Sequence, residues 1–89
     1  MIKKSLQIKN QYGIHARPAT KLVQLASKYK SMVFLSKDGL EVNAKSIMGV
    51  LMLEAHKDSF VQLRISGEDE EAAMASLEEL ISQRKFDED

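Results

Sequence analysis

The sequence predicts an α+β fold in the order βαββαβα: an open-faced sandwich with a four-stranded antiparallel sheet covered on one side by three helices. Three observations lead there. Two segments, one from Ile2 and one from Phe60, alternate apolar and polar residues as a half-buried strand does, two longer segments carry apolar residues at helical spacing, and an Asp-Gly pair joins two short β-favouring runs. A sheet with one apolar face and helices with one apolar stripe bury both most simply when the helices share one side of an antiparallel sheet.

In the first strand, Ile2, Leu6 and Ile8 alternate with Lys3, Ser5, Gln7 and Lys9, and Lys4 alone breaks the pattern. After the loop Asn10-Gln11-Tyr12-Gly13, a helix is predicted over Ala16 to Tyr29, with Ala19, Leu22, Val23, Ala26 and Tyr29 on its apolar stripe and Pro18 in the first turn, where proline is tolerated. Met32 to Ser36 and Leu40 to Asn43 form a hairpin about Asp38-Gly39. Ser46 is placed to cap a short helix from Ile47 to Leu53, in which Leu51 and Met52 cannot both face the core. A fourth strand follows from Phe60, with Val61, Leu63 and Ile65 inward, and both Phe34 and Phe60 are expected near the core. The last helix opens on an acidic turn, buries Ala73, Leu77, Leu80 and Ile81, and closes on Arg84 and Lys85, so that both ends complement its dipole. The acidic tail Phe86-Asp87-Glu88-Asp89 is expected to fray.

At 89 residues the chain has room for one core, so residues 1–89 are read as a single domain. Thirteen basic residues balance thirteen acidic ones, which leaves no net field to hold a nucleic acid or an anionic membrane. An RNA-binding α+β domain would also need basic clustering and aromatics exposed on the sheet. The absence of cysteine excludes disulfides and thiolate metal sites, and neither the N-terminus nor any later run has the apolar length of a signal peptide or a membrane span. A cytoplasmic protein is expected. The lone loop histidine His56, among Glu54, Lys57 and Asp58, is read as a solvated residue and not as a metal ligand.

The chemistry is expected at Gly13-Ile14-His15-Ala16-Arg17-Pro18-Ala19, where a loop enters a helix. The first amides of a helix lack intrahelical partners and point outward at the positive end of the dipole, so Ala16 and Arg17 offer backbone donors to an anion. The same dipole and the neighbouring guanidinium favour neutral imidazole at His15, which is the nucleophilic species. A phosphoryl group on His15 would then be met by those amides and by the planar fork of Arg17.

Together with Lys45-Ser46-Ile47-Met48-Gly49-Val50, that stretch resembles HPr, the histidine-containing phosphocarrier of the bacterial phosphotransferase system, and the resemblance extends over nearly the whole chain. It implies that His15 accepts a phosphoryl group on Nδ1 from phosphorylated enzyme I, charged by phosphoenolpyruvate, and passes it to a histidine of an EIIA protein, with Arg17 as the phosphate-side cation. It implies no metal or cofactor, and a protein that is a carrier and not an enzyme. Ser46 matches the serine phosphorylated by a dedicated HPr kinase/phosphorylase in some members. Ile47, Met48 and Leu51 would form an apolar docking patch beside His15, with Thr20, Lys21 and Gln24 as its polar rim. A carrier that meets several partners in turn is expected to be a monomer.

Glu54 and Asp58 depart from the family pattern, which usually has glycine or alanine there, and Gly49-Val50-Leu51-Met52-Leu53 is closer to the nitrogen-type branch, whose relay regulates metabolism instead of driving sugar uptake. The rival from another class is a noncovalent anion-binding or protein-binding module of the same shape. Retention of His15 argues against it.

Overall fold

The computed structural model describes residues 1–88. Strand β1 (Ile2–Gln7) leads through a loop to helix α1 (Ala16–Ala26), hairpin strands β2 (Met32–Lys37) and β3 (Leu40–Asn43), helix α2 (Ile47–Met52), strand β4 (Phe60–Ser66) and helix α3 (Glu70–Glu78). The strands lie in the order β1-β4-β2-β3, and every pairing is antiparallel. This is the predicted topology.

Cross-strand pairs show how the alternation builds one core face. Leu6 stands opposite Val61, Val33 opposite Ile65 and Leu35 opposite Leu63, and these six side chains are buried beneath the helices. Helices α1 and α3 add Ala19, Leu22, Ala26, Ala73, Met74 and Leu77 to the same cluster. Lys4 breaks the period as the sequence indicates, and its ammonium reaches Glu78 at 2.7 Å.

The opposite sheet face is open, and here the expectation for Phe34 and Phe60 is corrected. Phe60 is 61% exposed because it shares the parity of Gln62 and Arg64, opposite to that of Val61, Leu63 and Ile65. Phe34 is half-buried on the same outer face, with the Arg64 guanidinium 4.4 Å from its ring centroid while that guanidinium also forks onto Glu41 at 2.7 and 2.9 Å.

Two helix ends differ from the predicted ones. Helix α1 stops at Ala26, and the chain continues in tighter turns, with the amides of Lys28 and Tyr29 donating to Leu25 and Ala26. The cause lies just beyond, where Asp69 accepts from the backbone amides of Lys30 and Ser31 and draws the chain toward the start of α3. Helix α3 passes at Glu79–Gln83 into a wider turn, in which the Arg84 amide reaches back to the Glu79 carbonyl and Leu80 and Ile81 are both buried. Arg84 does not complete the dipole pattern of α3, because its guanidinium forks onto Asp87 at 2.6 and 2.9 Å.

The tail through Glu88 is not frayed. Lys85, Phe86 and Asp87 all adopt left-handed backbone conformations, with φ of 49°, 57° and 56°, in a 3-10 turn that drives Phe86 into the core at 2% exposure. Asp89 lies outside the described residues. Among the described residues, no helix is long and apolar enough to cross a membrane.

Candidate functional site

The loop that carries His15 is fixed from below. Asn10, 1% exposed, donates from its side-chain amide to the Gly13 carbonyl at 2.6 Å, while the Gly13 amide returns to the Asn10 carbonyl. Gly13 has φ +68°, and its backbone presses on the segment after α2. The next residue is buried, and its amide donates to the Ala55 carbonyl at 2.8 Å, so Ile14 anchors the loop while His15 turns outward.

His15 is the N-cap residue of α1, with extended backbone (φ −91°, ψ −166°), and its carbonyl accepts the first helical bond from Ala19 at 2.9 Å. Its side chain makes no capping bond. The imidazole is therefore left exposed at the positive end of an eleven-residue helix, next to the outward amides of Ala16 and Arg17. Tyr12 meets its ring edge-on, with centroids 6.5 Å apart and planes 76° apart.

His15 and Arg17 line one cleft of about 180 Å³, together with Tyr12, Pro18, Phe86, Asp87 and Glu88. The last three belong to the tail. The Glu88 carboxylate accepts from the amides of Gln11 at 2.5 Å and Tyr12 at 3.2 Å. Desolvation opposes its ionisation, but those two amides, the Asn10 side chain and the nearby His15 together hold its pKa below the ordinary value. The Asp87 carboxyl is held down to about 2, chiefly by hydrogen bonds from Arg84 and then from Lys21.

Ser46 caps α2 as predicted, with its hydroxyl accepting from the Gly49 amide at 3.1 Å. Ile47 and Met48 on this helix are 42% and 71% exposed, whereas Leu51 is half-buried against the core. Helix α1 packs beside α2 and presents Thr20 half-buried, Lys21 ion-paired to Asp87 at 3.2 Å, and Gln24 exposed. Lys21 and Gln24 border a second, larger cleft of about 510 Å³ with Lys28 and Arg84, which adjoins the cleft of His15 and Arg17 at Asp87, a residue that lines both.

Sequence reasoning overlooked three neighbours of these residues. Met52, 61% exposed, extends the apolar surface of α2, and Tyr12 and the tail form walls of the His15 cleft. A single phenylalanine set in a charged terminal run was the available sign that the tail is anchored.

Comparison with known proteins decides the family. The family model for the PTS HPr component phosphorylation site matches residues 2–83. The chain belongs to the HPr family. A phosphocarrier protein HPr from Xylella fastidiosa is 49% identical over all of this chain and 99% of its own length. An HPr crystal structure from Thermoanaerobacter tengcongensis superposes with a TM-score of 0.94 at 45% identity, covering 100% of this chain and 99% of that one. An HPr dimer from the same organism matches at 0.76 and 44% identity, over 96% of this chain and 98% of the other. Members of the HPr family are phosphocarriers of the phosphotransferase system, and the role of this chain is therefore that of a carrier and not of a catalyst.

Proposed function

We propose that His15 is the covalent phosphoryl acceptor of this carrier, that it is charged by phospho-enzyme I and discharged to an EIIA protein, and that this takes place in the cytoplasm with the chain as a monomer. The observation that carries this reading is an exposed imidazole at a helix N-cap, free of any capping bond and sharing a cleft with Arg17.

In the transfer, the lone pair of an imidazole nitrogen forms the bond to phosphorus, the bond from phosphorus to the donor breaks, and the electron pair stays with the donor. Discharge is the reverse step with the acceptor's nucleophile. The amides of Ala16 and Arg17 and the Arg17 guanidinium face the charge on the phosphoryl oxygens in both directions. The chain itself contributes geometry and electrostatics, and no metal or cofactor enters the scheme.

The exposed apolar residues Ile47 and Met48, the half-buried Leu51, and Thr20, Lys21 and Gln24 on α1 are proposed as the docking face for both partners. Methionine suits a surface that accepts more than one partner. Ser46, capping the helix that carries the patch, is proposed as a regulatory phosphorylation site for an HPr kinase/phosphorylase, where added charge would meet the docking partner without unfolding the helix.

The test is incubation of the purified protein with phosphoenolpyruvate and enzyme I, followed by intact mass and acid treatment. One acid-labile phosphoryl group, lost in His15→Ala, is the expected result. A folded protein that gains no mass with active enzyme I would replace the relay with a noncovalent anion-binding module.

A further inference from the structure

The tail crosses the cleft of His15 in a conformation that local preference does not favour. Three successive non-glycine residues, Lys85, Phe86 and Asp87, are left-handed, a state that costs about 1 kcal/mol or more at Lys85 and Phe86 and less at Asp87, and that persists only where surrounding contacts over-determine it. Those contacts are present. Phe86 is buried, Asp87 is ion-paired to both Lys21 and Arg84, and Glu88 accepts from two consecutive backbone amides of the loop that leads to His15. One of those amides belongs to Tyr12, whose ring packs edge-on against the imidazole. A continuous path of contacts thus runs from the Glu88 carboxylate through Tyr12 to His15.

The proposed function also puts negative charge into this cleft. Two acidic residues, Asp87 and Glu88, line it, and among the described residues the only lysine or arginine in its lining is Arg17. A dianionic phosphoryl group on His15 would share that space with Glu88, and like charges at such range repel. The bonds from Glu88 to Gln11 and Tyr12 are exposed, so they are the contacts able to open without disturbing the core.

We infer that Glu88 is a positioning residue of the carrier site: its carboxylate clasps the Gln11-Tyr12 turn and so sets the His15 ring in the uncharged protein, and the clasp is expelled when His15 carries a phosphoryl group. The second half of this inference rests on the proposed role of His15; the first does not. A strap of this kind makes the resting and charged forms differ in shape at the face that partners must read. The groups facing Glu88 are Tyr12, His15 and Arg17 on the loop and α1 side, and Asp87, with its partners Lys21 and Arg84, on the tail side.

The experiment is residue-resolved amide hydrogen exchange on the full chain, as wild type and as Glu88→Gln, before and after charging with phosphoramidate. In that reaction the imidazole displaces ammonia from phosphorus, and no partner protein is needed. In the uncharged proteins, exchange at Gln11 and Tyr12 is expected to be roughly tenfold faster or more in Glu88→Gln, with the core strands unchanged. Protection in the wild type should also fall in acid as the Glu88 carboxyl protonates, and the NMR signals of the His15 ring should shift between the uncharged wild type and Glu88→Gln, a change that a contact serving only to anchor the tail would not give. Charging should bring the wild type to the exchange rates of the variant. Equal protection of Gln11 and Tyr12 in the two uncharged proteins would overturn the clasp, and undiminished protection in the charged wild type would overturn its expulsion. A folded protein that phosphoramidate cannot charge would remove the role of His15 and the expulsion with it, while the comparison of uncharged proteins would still decide the clasp.

Discussion

Gly13 packs its bare Cα against the carbonyl of Ala55, so closely that a Cβ would stand 2.5 Å from that oxygen and 2.7 Å from the Cα of His56. The contact is what holds the His15 loop down on the segment between α2 and β4. Gly13→Ala would combine left-handed strain, at φ +68°, with a backbone overlap that no side-chain rotation relieves. The expected loss is about 2–4 kcal/mol of unfolding free energy, measured by urea denaturation. An unchanged midpoint would mean that the loop is not seated on Ala55.

Glu54 follows the end of α2 with φ +50°, in the position where a helix most often places glycine. Glu54→Gly should therefore stabilise the protein by about 1 kcal/mol, the cost of holding a side chain in that conformation. For a domain of this size that corresponds to a rise in Tm of about 4–8 °C. Asp58, at φ +72°, should gain less from the same change because aspartate tolerates the left-handed region. Calorimetry of the two variants side by side tests the order.

Ser46 separates capping from charge. Ser46→Ala removes the acceptor for the Gly49 amide and should cost about 1 kcal/mol, whereas Ser46→Asp retains a capping oxygen and should leave stability close to that of the wild type. If Ser46→Asp nevertheless slows phosphoryl transfer from enzyme I, the effect lies at the docking face and not in the fold. Equal transfer rates would remove the proposed regulatory role.

Asp69 provides a pH prediction. Hydrogen bonds from the Ser31 hydroxyl and the Lys30 amide, joined by the Ser31 amide, hold its carboxyl down to about 2 from an ordinary 3.8. A depressed folded-state value means that the unfolded chain takes up the proton first, so this contribution to stability is complete above about pH 4 and is lost as pH falls toward 2. Thermal melts from pH 7 to pH 2 should show a steeper acid limb in the wild type than in Asp69→Asn, with the variant less stable at neutral pH. Parallel limbs would show that Asp69 does not carry the effect.

The legible parts of this fold were those set by period and by short motifs. The alternation of Val61, Leu63 and Ile65, the Asp38-Gly39 turn and the Ser46 cap each follow from a local rule, and each is found in place. What the sequence misled on was set by distant partners. Hydrophobicity alone points Phe60 inward, whereas its parity with Gln62 and Arg64 puts it on the outer face. The end of α1 depends on Asp69, some forty residues away in sequence, and the tail depends on amides at Gln11 and Tyr12, which no local pattern reports. At the site, the loop and the helix start could be read directly, since an anion-ready helix entrance is a local property; the walls of the cleft could not.

The order β1-β4-β2-β3 leaves β1 and β3 as the two edges of the sheet. A chain with no net charge has little electrostatic repulsion between copies, so its protection from strand-to-strand association has to come from those edges. One edge carries consecutive lysines, Lys3 and Lys4, and the other is only four residues long. Both are poor templates for a further strand, and the protein can therefore stay dispersed at its own point of charge balance while the apolar side chains of α2 remain uncovered.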